Sequence, residues 1–221
     1  MEFVAHQAQL VQARLRDNGG FNSDRISECS LPTLFAAGGD WMKTVVEKSD
    51  LRGSNFSSSR MRETMFAHCQ LRGVRLREAR LERVELYFCD LNELDVAQAG
   101  LRRCKIHGCE AMNAIFSGAQ IAVTRFEETK LARARFDGAL IVRSVFADGR
   151  LGGASLERAD FKAARLIDVS MQGANLMGAT FKDSTLIGVN FDEAMLDGAD
   201  FRGATAIGCH FPRGFSLEGQ P

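Results

Sequence analysis

Apolar residues recur along this chain at a period that neither a helix nor a strand uses. From Leu51 to Phe211 every fifth residue is apolar: Leu51, Phe56, Met61, Phe66, Leu71 and onward to Phe201, Ala206 and Phe211. All 33 positions conform, 14 of them Leu and 11 Phe, with no insertion or deletion. Two residues ahead of each lies a second column, from Ser49, Ser54, Ser59, Thr64 and Cys69 to Ala204 and Cys209, made of Ala, Ser, Thr, Cys, Gly or Val. Leu94 is its one bulky member, and its partner Val96 is among the smaller residues of the first column. Such an exchange is what a shared, fixed volume requires. A helix repeats near 3.6 residues and a strand near 2, so this spacing means that the chain turns a corner every fifth residue. Four corners close a square, and one turn of the coil takes about twenty residues, stacked on the next as short parallel strands about 4.8 Å apart. The pattern predicts an all-β, four-sided parallel solenoid of about eight to nine coils, a rod of roughly 40 Å.

In the C-terminal half the unit sharpens to Ala159-Asp160-Phe161, Ala174-Asn175-Leu176-Met177-Gly178 and Ala199-Asp200-Phe201-Arg202-Gly203. The chain here resembles the pentapeptide-repeat family over about three quarters of its length, and the resemblance implies a right-handed, quadrilateral parallel β-helix. It implies little about activity, because a fold does not carry a function with it.

The twenty-residue count places side chains on walls. Phe161, Phe181 and Phe201 should stack inside the rod, as should Phe116 on Phe136, Phe126 on Phe146 and Phe191 on Phe211. Gly at the second outward place of many C-terminal units (Gly138, Gly173, Gly178, Gly198) suits a turn with positive φ. Gly is scarcer there in the N-terminal half, where another corner type is expected. Ile167, Ile187 and Ile207 are outward and twenty apart, so they form one apolar stripe, with Met177 on the opposite wall. Tyr87 and Phe88 are adjacent outward aromatics. Both sets read either as contact surface or as ordinary strand residues in a ladder.

Three segments divide the chain. Residues 1–48 are an irregular beginning, 49–211 the uninterrupted coils and 212–221 a loose tail. Within the first, Ala8-Gln9-Leu10 and Ala13-Arg14-Leu15 repeat the small-then-large unit, so 8–32 is read as a first, slightly irregular coil ended by Pro32. Residues 33–48 hold the single Trp, Trp41, and are read as a short irregular or helical insertion. It serves either as a cover for an open coil end or as a partner-binding loop.

Charge and chemistry narrow the function. Lys plus Arg and Asp plus Glu are both 28, so no overall excess points to a partner. From Leu51 to Arg135 there are 15 basic and 10 acidic residues, whereas from Leu166 to Pro212 there are 2 basic and 6 acidic. No secretory leader or membrane-length apolar stretch is seen, so a cytoplasmic location is expected. Cys29, Cys69, Cys89, Cys104, Cys109 and Cys209 all fall on the small inward column and read as buried packing residues. A disulfide or soft-metal ladder of Cys69, Cys89 and Cys109 is not expected in a reducing compartment. His107 points outward between the inward Cys104 and Cys109, so these three do not form a metal site. No Ser-His-Asp set, P-loop or dinucleotide fingerprint appears, and no enzyme, cofactor or metal is expected.

The reading is a non-catalytic protein-binding scaffold with Ile167, Ile187, Ile207, Tyr87, Phe88 and Trp41 as candidate contacts. The partner is a protein, with neither nucleic acid nor membrane, and a homodimer through an exposed face or a coil end is a further arrangement. The resemblance adds accessory and effector proteins of bacterial secretion systems as examples. It also supplies the alternative, a DNA mimic that binds DNA gyrase or topoisomerase IV and gives resistance to quinolones or peptide toxins. The acidic C-terminal coils fit that alternative. The neutral net charge, the arginines Arg72, Arg75, Arg77, Arg80 and Arg83, and the lack of an apolar C-terminal helix do not. Direct nucleic-acid binding by those arginines is a third reading, weakened by the interleaved Glu78, Glu82 and Glu85.

Overall fold

The computed structural model describes residues 4–5, 8–18 and 20–217. From Gly20 onward the paired residues are twenty apart, and all pairings are parallel: Trp41 with Met61, Phe66 with Leu86, Ile121 with Ile141. The result is a four-walled rod of about nine turns. The first wall is built on strands Gly20–Asn22, Asp40–Met42, Arg60–Arg62, Arg80–Glu82, Gly100–Arg102, Gln120–Ala122 and Leu140–Val142. Single bridges carry it on through Asp160, Thr180 and Asp200. The second wall starts at Val4–Ala5 and runs from Arg25–Ser27 through Glu85–Tyr87 and Lys105–His107 to Thr205–Ile207. The third and fourth walls are stacked bridges, such as Asp50 to Gln70 and Asn55 to Arg75. The ladder is regular: Leu51 N–H donates to Gln70 C=O and Gly53 N–H to Arg72 C=O, both at 2.9 Å.

The five-residue rule follows directly. Leu51, Phe56, Met61 and Phe66 point inward at 1–4% exposure, and Ser49, Ser54, Ser59 and Thr64 are as buried beside the corners. The Phe columns stack as expected, 116 on 136 at 4.5 Å and 4°, 126 on 146 at 4.6 Å, 161 on 181 at 4.9 Å and 181 on 201 at 4.8 Å. Neighbouring columns meet edge to face, Phe116 on Phe126 at 5.9 Å. Offset-stacked and edge-to-face pairs are the arrangements that ring quadrupoles favour. Inside the rod, a void of about 20 Å³ between Phe56 and Leu94 is far smaller than a ligand pocket.

The N-terminal third departs from the sequence reading. The coils begin at Gly20, and Ala8–Asn18 is an α-helix rather than part of a coil. Val11 and Leu15 are four apart and share the packed face, while Leu10 is exposed. That is helical spacing, which mimics a period of five over so short a stretch. Pro32 does not end a coil. It sits just after the inward Leu31, a place where Arg52, one turn on, turns its N–H to its own Asp50 rather than to the ladder, so a residue without an N–H fits.

Residues 33–48 form no insertion. They complete a regular turn, with bridges at Phe35 and strands at Asp40–Met42 and Val45–Glu47. Their inward pair is reversed: Leu34 fills the small column and Ala36 the large one, both 4% exposed. This is the Leu94–Val96 exchange again. Trp41 is not a surface contact. It is 2% exposed and packed within the core, tilted against Phe21 at 4.6 Å and edge to face with Phe56 at 5.3 Å.

Positive φ recurs at every corner irrespective of Gly: Lys43 at 51°, Glu63 at 53° and Arg83 at 54°, beside Gly138 at 63°. What differs is the hydrogen bonding. On the later first wall Ala164 N–H donates to Phe161 C=O and Ala204 N–H to Phe201 C=O, both at 2.9 Å. Earlier on that wall, Val84 aside, the small column from 44 to 144 is Thr, Cys or Ser, whose side chain can bond to backbone instead; Thr64 Oγ1 donates to the Trp41 and Arg62 carbonyls at 3.2 and 3.3 Å. The tail is tied down as far as it is described, with Phe215 on Phe201 and Phe211 at 5.5 and 5.1 Å. Residues 218–221 of the expected loose tail lie outside the described residues.

Candidate binding faces of the rod

The second wall brings together the two outward sets that the sequence left apart. Its parallel register links Ala67, Tyr87, His107, Glu127, Ala147, Ile167, Ile187 and Ile207 in one column. Tyr87 precedes Ile167 by four whole turns, about 19 Å at the usual strand spacing. The signal was present in the numbering, since 87 and 167 differ by a multiple of twenty. Met177 lies on the fourth wall, opposite, at 41% exposure.

The near patch is aromatic. Phe88 is 52% exposed. It stacks on His68 at 5.4 Å and 12°, and meets His107 edge to face at 5.2 Å. Its ring leans over Gly108, where a Cβ would come within 2.5 Å of it, so any other residue there would have to displace the ring. Tyr87 donates its hydroxyl to Glu85 at 3.0 Å, and Lys105 Nζ sits 5.5 Å from the ring centroid. Partial burial, and then the Glu85 carboxylate, push the Tyr87 phenol up from its ordinary value. His107 Nδ1 lies 3.7 Å from a Glu127 oxygen.

The far patch is aliphatic. Ile167 and Ile187 are half-buried and Ile207 is 57% exposed. Nothing in either patch is arranged as a nucleophile with its base. Among the described residues no group of three His, Cys, Asp or Glu is close enough to hold a metal ion. The six cysteines are free thiols, and Cys69, Cys89 and Cys109 stack, with each of the first two donating its backbone N–H to the next sulfur at 3.4 Å. Among the described residues no helix is long and apolar enough to cross a membrane. What this geometry offers is binding on a flat β surface.

The family model for pentapeptide repeats matches in 8 copies, over residues 44–78, 79–118, 146–183 and 174–211. The chain belongs to the pentapeptide-repeat family. Among solved structures, this pentapeptide-repeat protein is similar to HetL, a pentapeptide repeat protein involved in heterocyst differentiation regulation from the cyanobacterium Nostoc. The two share 24% identity over 93% of this chain and 97% of HetL, with a TM-score of 0.36. It is also similar to full-length QnrB1, a plasmid-mediated fluoroquinolone resistance protein, at 18% identity over 86% of this chain and 94% of that one, with a TM-score of 0.43. A pentapeptide repeat protein of the Arabidopsis thaliana thylakoid lumen matches at 27% identity over 41% of this chain and 59% of its own, with a TM-score of 0.24. A search of curated protein sequences found no match.

Proposed function

We propose that this pentapeptide-repeat protein is a non-catalytic scaffold that docks a protein partner along its second wall. The observation that carries the reading is the alignment of Tyr87–Phe88 and Ile167–Ile187–Ile207 on one parallel sheet. A rigid, straight surface loses little conformational freedom on binding, and exposed aromatic and aliphatic patches are where such surfaces gain affinity. A secretion-system accessory or effector protein is one cellular setting that suits a scaffold of this kind.

The DNA-mimic reading asks for rows of carboxylates in place of phosphates. The C-terminal carboxylates do not line up so. Asp168 is on the second wall, Asp183 and Asp200 on the first, Asp192 and Glu193 on the third and Asp197 on the fourth, by the twenty-residue register. Asp200 is moreover held by Arg202.

The test is affinity capture from the source cells with wild type and the Ile187→Asp, Phe88→Asp and Met177→Asp variants, each checked for an unchanged circular-dichroism spectrum. A partner retained by wild type and Met177→Asp but lost from the second-wall variants is the expected result. The same protein list from all four ends the proposal. A gyrase supercoiling assay decides the mimic: inhibition by wild-type protein at micromolar concentration would favour it over the scaffold.

A further inference from the structure

The neutral net charge conceals a polarised cross-section. On the first wall, between Arg60 and Arg103, six outward arginines (Arg60, Arg62, Arg80, Arg83, Arg102, Arg103) face only two glutamates, Glu63 and Glu82. Over their outward positions among the described residues, the other three walls carry no basic excess. Both glutamates are engaged, Glu82 with Arg62 at 3.7 Å and Glu63 with Arg83 at 2.9 Å. Arg60 and Arg80 are directly stacked partners in the ladder. Among the described residues no carboxylate lies within 4.0 Å of them, nor of Arg102 or Arg103, by the ion pairs present. Like charges directly opposite one another on a sheet destabilise it, so the free molecule holds a repulsion that an incoming anion relieves.

The same wall is furrowed. A groove of about 820 Å³ runs beside the N-terminal helix past Asp40, Arg60, Arg62, Arg80 and Glu82. A second, of about 650 Å³, continues from Arg80 and Glu82 past Gln98 and Arg102 to Gln120. They share Arg80 and Glu82 and form one trough. At its floor Gly100 interrupts the column between Arg80 and Gln120. Nothing lies within 4 Å of the place where its Cβ would stand, and its φ is not positive. The notch is therefore open space that a side chain could occupy without backbone strain.

We propose that this trough docks an acidic segment of a partner protein, whose carboxylates pair with Arg60, Arg80, Arg102 and Arg103 and one of whose side chains enters the notch over Gly100. Arginine is the side chain best shaped for two-point recognition of carboxylate, and Glu63 and Glu82 each already pair with one arginine of this wall through a single contact, Arg83 and Arg62. A polypeptide fits better than a nucleic acid for two reasons. A strand with a phosphate at every step would meet Glu63, Glu82 and Asp40, whereas a polypeptide can set neutral residues opposite them. Single-stranded nucleic acid also seeks aromatic stacking platforms, and the exposed Phe35 and Phe88 lie on the fourth and second walls.

The experiment is fluorescence anisotropy with a labelled Glu-Ser repeat peptide, beside labelled oligo(dT) and a short DNA duplex, at low and physiological salt. Saturable, salt-sensitive binding of the peptide is expected. Arg80→Glu combined with Arg102→Glu should weaken it by more than about tenfold. Gly100→Glu should do the same, and Gly100→Gln, which fills the notch without charge, should weaken it less. Arg133→Glu on the third wall and Ile187→Asp on the second should leave it unchanged, which keeps this surface distinct from the one proposed above. No saturable peptide binding, an equal loss with Arg133→Glu, or tighter binding of either DNA overturns the proposal.

Discussion

At the corner Asp200–Arg202, one carboxylate accepts the backbone N–H of Arg202 at 3.0 Å, Nε at 2.9 Å and Nη2 at 2.6 Å. The Arg202 side chain first, and then its backbone N–H, hold the Asp200 carboxyl down at about 2. Asp50 repeats the device with Arg52, its carboxyl lowered in the same way. A carboxyl depressed on folding contributes stability that is fully present above its unfolded value of about 3.9 and is lost as pH falls through about 2. In Arg202→Ala the Asp200 carboxyl should titrate nearer the ordinary carboxylate range, followed by NMR of the side-chain carbon; an unmoved titration would mean that the backbone N–H alone sets it. The thiols make a second residue-scale case. Burial pushes Cys104 up to about 11, and Cys69, Cys89 and Cys109 are equally enclosed, whereas Cys209 is only partly buried. Maleimide labelling of native protein, read by mass spectrometry, should therefore reach Cys209 first and the other five, Cys29 included, only on unfolding.

At the scale of one turn, the unit that matters is the inward pair rather than either residue alone. Leu34 with Ala36 and Leu94 with Val96 fill the same volume with the large member moved to the corner side. Ala36→Leu alone should overpack the turn and cost about 1–3 kcal/mol, and adding Leu34→Ala should recover most of it. Denaturation midpoints of the two single variants and the double variant measure the coupling; strict additivity would show that the two sites do not share a volume. This is also where the sequence misleads. A test for a large residue at every fifth place fails at Ala36, although the phase from Phe21 through Leu31, Trp41 and Val46 to Leu51 never breaks. The helix was hidden for a different reason, because Ala8–Ala13 and Leu10–Leu15 are spaced by five while Val11–Leu15 is spaced by four. From Ser49 to Phe211 the coil, the Phe stacks and the single Ile stripe were legible, because inward positions are fixed by volume. The faces were less so. Ladder geometry asks almost nothing of an outward side chain, so the shared wall of Tyr87 and Ile187, and the arginine excess of another wall, emerge only when residues are counted in twenties.

For the whole rod, the two ends decide how it comes apart. A solenoid is held by contacts between neighbouring turns, so its stability is close to a sum along one dimension, and opening starts where a turn lacks a neighbour. At the N-terminal end the helix supplies a cover. Val11 is fully buried there, and Arg14 reaches Asp24 at 3.0 Å while lying 5.4 Å over the Phe21 ring. At the C-terminal end the cover is slighter: Phe215 rests on Phe201 and Phe211, and Ala204, Ala206, Cys209 and Phe211 remain partly exposed. Opening should accordingly begin at the C-terminal end. In native-state hydrogen exchange the amides of Thr205–Ile207 should exchange well before those of Gln120–Ala122. Phe215→Ala should speed exchange over the last turns and leave the strands from Arg60 to Val142 as they were. Val11→Asp should act in the same way on Gly20–Asn22 and Arg25–Ser27, by placing a charge where the helix seals the first turn. If either substitution instead raised exchange evenly from end to end, the rod would be opening as one cooperative body, and the turn-by-turn account of its stability would be wrong.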